Sequence, residues 1–256
     1  MDSVSQALID ILQNNKPAAM ATVIKTRGAS PREAGAKMLV YPDGSIVGTI
    51  GGGGMEMRVI ASAQEAIADG KPRYLDMNLS NEQRGDPMIC GGEMEIFVEP
   101  IGITDTMIIV GAGHVGAAVA QLAKTLGFRI IVLDDRPEFV SPQNFPVADQ
   151  RITGDLRLEI ERLEITPQTY IVLVTRLHTM DETLLGAIVE KNAAYMGMLG
   201  SKRRVITVKE SLKQKGVSET ALDRVHAPIG LDIHAETPQE IAVSIMAEII
   251  GVKRKK

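Results

Sequence analysis

The chain has 256 residues, a formal net charge of −4, 45% hydrophobic residues and only 3% aromatic ones. That length accommodates two domains with aliphatic, methionine-filled cores, and the acidic balance argues against nucleic acid as a partner. The single cysteine, Cys90, excludes an internal disulfide and fits a reducing, cytoplasmic setting, while no apolar run approaches the ~20 residues that span a bilayer.

The opening "MDSVSQALIDIL" is acidic and amphipathic, unlike a secretory signal. Ser3 and Gln6 have capping-box spacing, and Leu8, Ile11 and Leu12 form a stripe, so residues 3 to 14 are expected to be helical. "AAMATVIKT" and "AKMLVY" read as strands, "YPDGS" as a turn and "IVGTI" as a return strand. Four glycines, Gly51 to Gly54, then lead into a helix whose face carries Val59, Ile60, Ala63 and Ile67. "EMEIFVEP" alternates and reads as a further strand. Residues 1–102 are therefore expected to form a mixed α/β domain.

From Met107 the texture changes. "MIIVGAG", "RIIVLDD", "YIVLVT" and "YMGML" are continuous apolar strands separated by helical segments. One helix, "HVGAAVAQLAKTLG", carries Val115, Ala118, Val119, Leu122 and Leu126 on one face. Asp181 and Ser201 are expected to cap two others, and Thr237-Pro238-Gln239-Glu240 caps the last. Alternating β and α with wholly apolar strands predicts a Rossmann-like, doubly wound parallel sheet over residues 103–256. The terminal "KRKK" reads as a solvated end.

Gly111-x-Gly113-x-x-Gly116 follows a strand, opens a helix and is succeeded about 20 residues on by Asp134 at a strand end. In such a turn Gly111 permits the tight bend, Gly113 lets a pyrophosphate approach, Gly116 brings helix and strand together, and Asp134 binds a ribose hydroxyl. The same residues also suit a Rossmann fold that binds no dinucleotide. In "GMLGSKRR", Ser201, Lys202, Arg203 and Arg204 start a helix with three cations where the dipole disfavours them. That pattern suits a phosphate, or a solvated basic turn.

Four consecutive glycines are entropically costly, and a ligand or another backbone in close approach gives them a reason. Nearby "KTRGASPREAG" supplies Arg27, Ser30, Arg32 and Glu33, and "CGG" supplies Cys90. Arginines, a glycine cradle and one thiol make a coherent site for an anionic ligand. A thiolate is a soft donor that suits a soft metal, so Cys90 is the one candidate metal ligand. Its plain alternative is a small buried hydrophobe.

The blocks "TRGASPREAGAKMLV", "GTIGGGGMEMRVI", "ICGGEMEIFVEP", "IIVGAGHVGAAVAQLAKTLGFRIIVLDDRPEF", "AYMGMLGSKRR" and "HAPIGLDIHAETPQEIAVSIMAEII" occur in this order over nearly the whole chain. Together they resemble the XdhC/CoxI family, the accessory proteins of xanthine dehydrogenase and carbon monoxide dehydrogenase. The resemblance implies a chaperone rather than a catalyst. Such a chaperone binds the molybdenum cofactor, as molybdopterin or its dinucleotide form, supports its sulfuration by a cysteine desulfurase, and delivers it to a xanthine dehydrogenase-type molybdenum hydroxylase. The cofactor-binding set is then Arg27, Ser30, Arg32, Gly52, Gly53, Gly54, Glu56 and Cys90, with Gly111, Gly113, Gly116, Asp134, Ser201, Lys202 and Arg203 on the nucleotide side. Two positions depart from the family pattern: Gly54 stands where a cysteine is common, and Thr175-Arg176 replaces Thr-His.

The rival reading is an NAD(P)-dependent oxidoreductase, with His114, His178, His226 and His234 as the available histidines and His178 beside Asp181 the best placed. Four scattered histidines and one cysteine give no zinc spacing, and no nucleophile-elbow pattern is present. Exposed-looking methionine and aliphatic positions in the first domain predict a homodimer.

Overall fold

The computed structural model describes residues 3–14, 16–78, 92–102, 104–176 and 178–255. The chain divides into two units, residues 1–103 and 104–256.

The first unit is a five-stranded antiparallel sheet between two helices. Its strands are β1 (Ala18–Arg27), β2 (Lys37–Val40), β3 (Ile46–Gly48), β4 (Arg73–Asn78) and β5 (Glu93–Ile101), in the order β3-β2-β1-β5-β4. Alternation along β1 explains the two layers. Ala19, Ala21 and Val23 join the core beneath α2 (Gly53–Asp69) with Val59, Ala63 and Ala66, whereas Ala18 and Met20 meet Ile11 of α1 (Ser3–Asn14) on the opposite face. The β1–β5 register breaks between Val23 and Lys25. Beyond that irregularity, Arg27 leads out of the sheet into the Ser30–Glu33 segment.

The second unit is a six-stranded, all-parallel sheet. Its strands are β6 (Thr106–Val110), β7 (Arg129–Asp134), β8 (Gln150–Thr153), β9 (Thr169–Leu173), β10 (Tyr195–Met198) and β11 (Val225–His226), ordered β11-β10-β9-β6-β7-β8. One face is covered by α3 (His114–Thr125) and α8 (Pro238–Arg254). The other is covered by α4 (Leu156–Arg162), α5 (His178–Ile188), α6 (Lys202–Gln214) and α7 (Glu219–Asp223). Burial on both faces is why β9 reads as an unbroken apolar run, and each buried Ile, Val or Leu contributes about 1.5–3 kcal/mol relative to exposure. Strand order reverses between β6 and β9, the switch point where open α/β sheets place their ligands.

Caps follow the sequence in two helices and depart from it in one. Ser201 accepts from the Arg204 amide at 3.3 Å. Thr237 and Glu240 form the reciprocal capping box with Pro238 at the first helical position. Asp181, expected to cap α5, instead lies in its first turn, because the helix already begins at His178. Strands β4 and β8 carry no continuous apolar run; both are edge strands, and β4 turns Arg73, Leu75 and the buried Met77 inward between exposed residues.

Candidate functional site

In the first unit three sequence blocks lock together through glycines. A methyl group added at Gly51 would lie 2.4 Å from Cγ of Pro31, and one at Gly92 would lie 2.3 Å from the Ala29 carbonyl oxygen and 2.6 Å from that of Arg27. The Arg27–Pro31 segment therefore packs against both glycine blocks, and any side chain at residue 51 or 92 would separate them. Gly51, Gly52 and Gly53 have φ of 139°, 78° and 68°, three successive left-handed residues that only glycine adopts cheaply. Among the described residues, a methyl group at Gly52 would meet nothing within 4 Å, so this α-carbon faces away from them.

Arg27 and Arg32 are exposed, and Ser30 donates from its hydroxyl to the Arg32 carbonyl at 2.7 Å. Arg27 stands 3.9 Å from the Glu93 carboxylate, a loose surface pair of small energetic weight. Glu56 turns back over the loop, where one carboxylate oxygen accepts from the Thr49 hydroxyl at 2.5 Å and from the amides of Ile50 and Gly52 at 3.1 Å each. α2 has no side-chain cap at Gly52, so Glu56 does part of that work from inside the helix. Gly54 lies in the first turn of α2. Cys90, the candidate thiol and metal ligand, lies outside the described residues. Among the described residues no group of three or more His, Cys, Asp or Glu side chains is arranged to hold a metal ion.

In the second unit the glycine fingerprint is assembled as its spacing predicts. Gly111 has φ 115°, donates its amide to the Leu133 carbonyl at 2.8 Å, and sits where a methyl would lie 2.4 Å from the Val174 carbonyl oxygen. At Gly116 a methyl would lie 2.1 Å from the Gly111 carbonyl oxygen, which is why α3 and the turn approach so closely. Gly113 has nothing within 4 Å and caps α3 without a side-chain bond, leaving the helix N-terminus facing open space.

Asp134 is deeply buried and already engaged. Its carboxylate accepts from the Ala112 amide at 2.7 Å and from Arg136 through the amide at 3.1 Å, Nε at 2.8 Å and Nη2 at 2.9 Å. Burial pushes this carboxyl up, but Arg136 and the two amides outweigh it and hold the pKa at about 2. The acid thus ties the glycine turn to β7, where the fingerprint alone predicts a ribose contact. Arg136 stacks over Phe139 at 3.7 Å from the ring centroid, and Arg176 approaches Asp135 at 3.3 Å. The residue at the departed histidine position is therefore part of a guanidinium–carboxylate rim at the strand ends.

Ser201, Lys202 and Arg203 are exposed at the start of α6. Their neighbour Arg204, the third cation of the same turn, is engaged instead within the fold: its guanidinium pairs with the fully buried Asp181, itself an acceptor from the Thr175 hydroxyl. Burial lowers the Arg204 pKa.

Sequence reasoning missed a network between β10, β11 and α8. Glu248 accepts from the Tyr195 hydroxyl at 2.5 Å and the Gly230 amide at 2.9 Å, and lies 3.2 Å from His226 Nδ1. Burial, then the Glu248 hydrogen bond, push the Tyr195 phenol upward. No spacing signal joins residues this far apart in the chain.

The chain's relatives are consistent with these two units. A family model described as the XdhC Rossmann domain matches residues 107–249, and one described as the XdhC and CoxI family matches residues 11–78. The Escherichia coli uncharacterized protein YqeB is 40% identical over 243 residues, which is 94% of this chain and 44% of YqeB. A Bacillus subtilis protein named as a probable subunit of xanthine dehydrogenase is 34% identical over 160 residues, 62% of this chain and 46% of its own. The chain thus spans less than half the length of either. The Escherichia coli molybdenum cofactor insertion chaperone PaoD is 21% identical over 295 aligned residues, covering 96% of this chain and 86% of PaoD. A solved Bacillus halodurans structure described as a xanthine dehydrogenase superposes over 100% of this chain and 97% of its own, with a TM-score of 0.54 and 24% identity, and shares the fold.

Proposed function

Since the chain belongs to the XdhC/CoxI family, we propose that it is an accessory chaperone of a molybdenum hydroxylase. It binds the molybdenum cofactor, supports its sulfuration by a cysteine desulfurase, and passes it to a xanthine dehydrogenase-type client. PaoD, by its name, has this insertion role, and its sequence aligns with almost the whole of this chain.

The observation that carries the reading is the interlocked surface of the first unit. Gly51 and Gly92 admit no side chain because the Arg27–Pro31 segment lies against them, while Gly52 beside them faces away from the described residues. A chain that needed only a stable sheet has no use for such a rim. Arg27 and Arg32 are exposed cations suited to an anionic cofactor, and Ser30 is pinned between them. Bound there, the cargo brings the molybdenum on which a client hydroxylase works. This chain's residues bind it and orient it. Cys90, two residues before Gly92 in the sequence, is the thiol nearest to this surface along the chain.

In the second unit, the open Gly113 and the uncapped N-terminus of α3 suit a pyrophosphate. They are the observation that favours a second, narrower reading: the Rossmann unit holds a dinucleotide, either NAD(P) or the nucleotide end of the cofactor. An oxidoreductase using NAD(P) directly is the functional alternative.

The test is ligand identification. The protein is expressed in cells that make molybdopterin, purified, and its retained small molecules are identified by mass spectrometry. A co-expressed hydroxylase is then assayed with and without it. Retained molybdopterin and a client activated several-fold support the chaperone. Turnover of NAD(P)H by the isolated chain, with no retained pterin, overturns it in favour of the oxidoreductase.

A further inference from the structure

Four donors of the first glycine loop are drawn toward one carboxylate, three directly and one through a hydroxyl. Oε2 of Glu56 accepts from the Thr49 hydroxyl and from the amides of Ile50 and Gly52. Thr49 Oγ1 in turn accepts from the Gly51 amide at 3.1 Å. Residues 49 to 52 are thus folded around a negative charge that the chain itself supplies, at the positive end of a 17-residue helix.

A nest of successive amides before a helix is ordinarily a phosphate site. Here that place is taken. A phosphate brought to the amides of residues 50 to 52 must displace Glu56 or lie beside it, and two like charges at such range repel. Beside the carboxylate, a methyl group at Gly52 would meet no described atom within 4 Å.

We infer that Glu56 is a positioning residue that closes the first glycine loop on its own carboxylate, so that the amides of residues 50 to 52 are shut to the phosphate of the ligand. The inference rests on the reading that the first unit holds a pterin cofactor. It deepens that reading by saying where the ligand's phosphate is not held: on the amides of residues 50 to 52. The left-handed run of Gly51, Gly52 and Gly53 is then explained by the loop's need to aim three donors inward within four residues, and not by anion binding.

The experiment compares the unaltered full chain with Glu56→Gln and Glu56→Ala. Hydrogen exchange is read on residues 48–56, in the absence of ligand. Glu56→Ala is expected to raise exchange in that segment about tenfold or more, because each bond to a charged acceptor is lost, with the exchange of β6 and β9 unchanged. Glu56→Gln keeps a carbonyl oxygen for the two amides and is expected to restore most of the protection. Cofactor co-purified from molybdopterin-producing cells is expected to fall several-fold in Glu56→Ala and to recover in Glu56→Gln. Inorganic pyrophosphate at millimolar concentration is expected to leave the amide resonances of residues 49–56 of the unaltered chain in place.

Unchanged exchange in Glu56→Ala overturns the positioning role, as does equal loss of cofactor in both variants. Pyrophosphate shifts centred on residues 50–52 overturn the exclusion of phosphate. If no form of the protein retains a pterin, the chaperone reading fails, while the exchange and pyrophosphate results still decide what Glu56 does.

Discussion

In the loop before α2, the amides of Ile50 and Gly52 and the hydroxyl of Thr49 converge on a single oxygen of Glu56. In the loop before α3, only Ala112 gives its amide to an acid, and that acid, Asp134, stands on the neighbouring strand with Arg136 clamped against it. Both loops are strand-to-helix turns, both are rich in glycine, and both use a carboxylate as a brace. They differ in what the brace leaves over. Asp134 immobilises the turn at one residue, and Gly113 and the N-terminus of α3 remain open. Glu56 consumes the turn from within. Glycine-rich sequence before a helix therefore marks two opposite devices, and the position of the acid separates them: inside the following helix it fills the cradle, on the next strand it props the cradle open.

The difference is broken most readily by adding methyl groups. Gly116→Ala puts a carbon 2.1 Å from the Gly111 carbonyl oxygen, and Gly111→Ala puts one 2.4 Å from the Val174 carbonyl oxygen at φ 115°. Backbone cannot yield as a side chain can, so each is expected to cost about 3 kcal/mol in chemical denaturation. Gly113→Ala, with φ −83° and nothing within 4 Å, is expected to stay within about 0.5 kcal/mol of the parent. Binding of a dinucleotide, read by calorimetry, is where that variant should show its loss. A Gly113→Ala protein destabilised as much as Gly116→Ala would show that the second cradle is filled, like the first.

The brace itself is sharpened by acid. Asp134 has a folded pKa of about 2 against an ordinary 3.8. A lowered folded pKa means that the carboxylate's contribution is complete above about pH 4 and is lost as pH falls toward 2. The shift corresponds to about 2 kcal/mol. Unfolding free energy of the parent is expected to decline by about that amount across this window through this one group, and Asp134→Asn is expected to lack that part of the slope. Identical slopes in parent and variant would remove Asp134 as the brace.

How far the sequence reveals these devices depends on distance along the chain. The jobs of Gly111 and Gly116 are legible from spacing, because a strand, a three-residue turn and a helix leave the glycines little freedom in where they fall. The parallel sheet is legible from unbroken apolar strands such as β9, and the antiparallel unit from the alternation of β1 and β5. Edge strands β4 and β8 are illegible because exposure removes the apolar run that signals a strand. Asp134 reads from spacing as a ribose ligand, since its bond to Ala112 depends on how the turn curls back. Arg136, two residues on at a strand end, is the clue that this acid has a partner of its own. Glu56 reads as a ligand for the same reason: spacing places it near the loop and cannot say toward which side it faces. The Asp181–Arg204 pair and the Tyr195–Glu248–His226 network leave no trace in spacing, for their partners come from elements joined only by the fold.

The smallest effect separates strain from contact within the first loop. Gly51 and Gly52 are neighbours with positive φ, yet a methyl at Gly51 strikes Pro31 at 2.4 Å while one at Gly52 meets no described atom. At φ 78° and ψ −174° Gly52 lies in a region essentially reserved for glycine, so Gly52→Ala is expected to cost that strain alone, about 1–3 kcal/mol. Gly51→Ala adds the collision to its own strain at φ 139° and is expected to cost more. Thermal unfolding of the two variants side by side measures the gap. If Gly52 is also the surface on which the ligand docks, then Gly52→Ala, still folded despite that strain, loses co-purified cofactor, whereas a merely structural glycine would keep it. Equal destabilisation by the two substitutions would mean that Gly52 faces protein, and the first loop would then have no open side to offer a ligand.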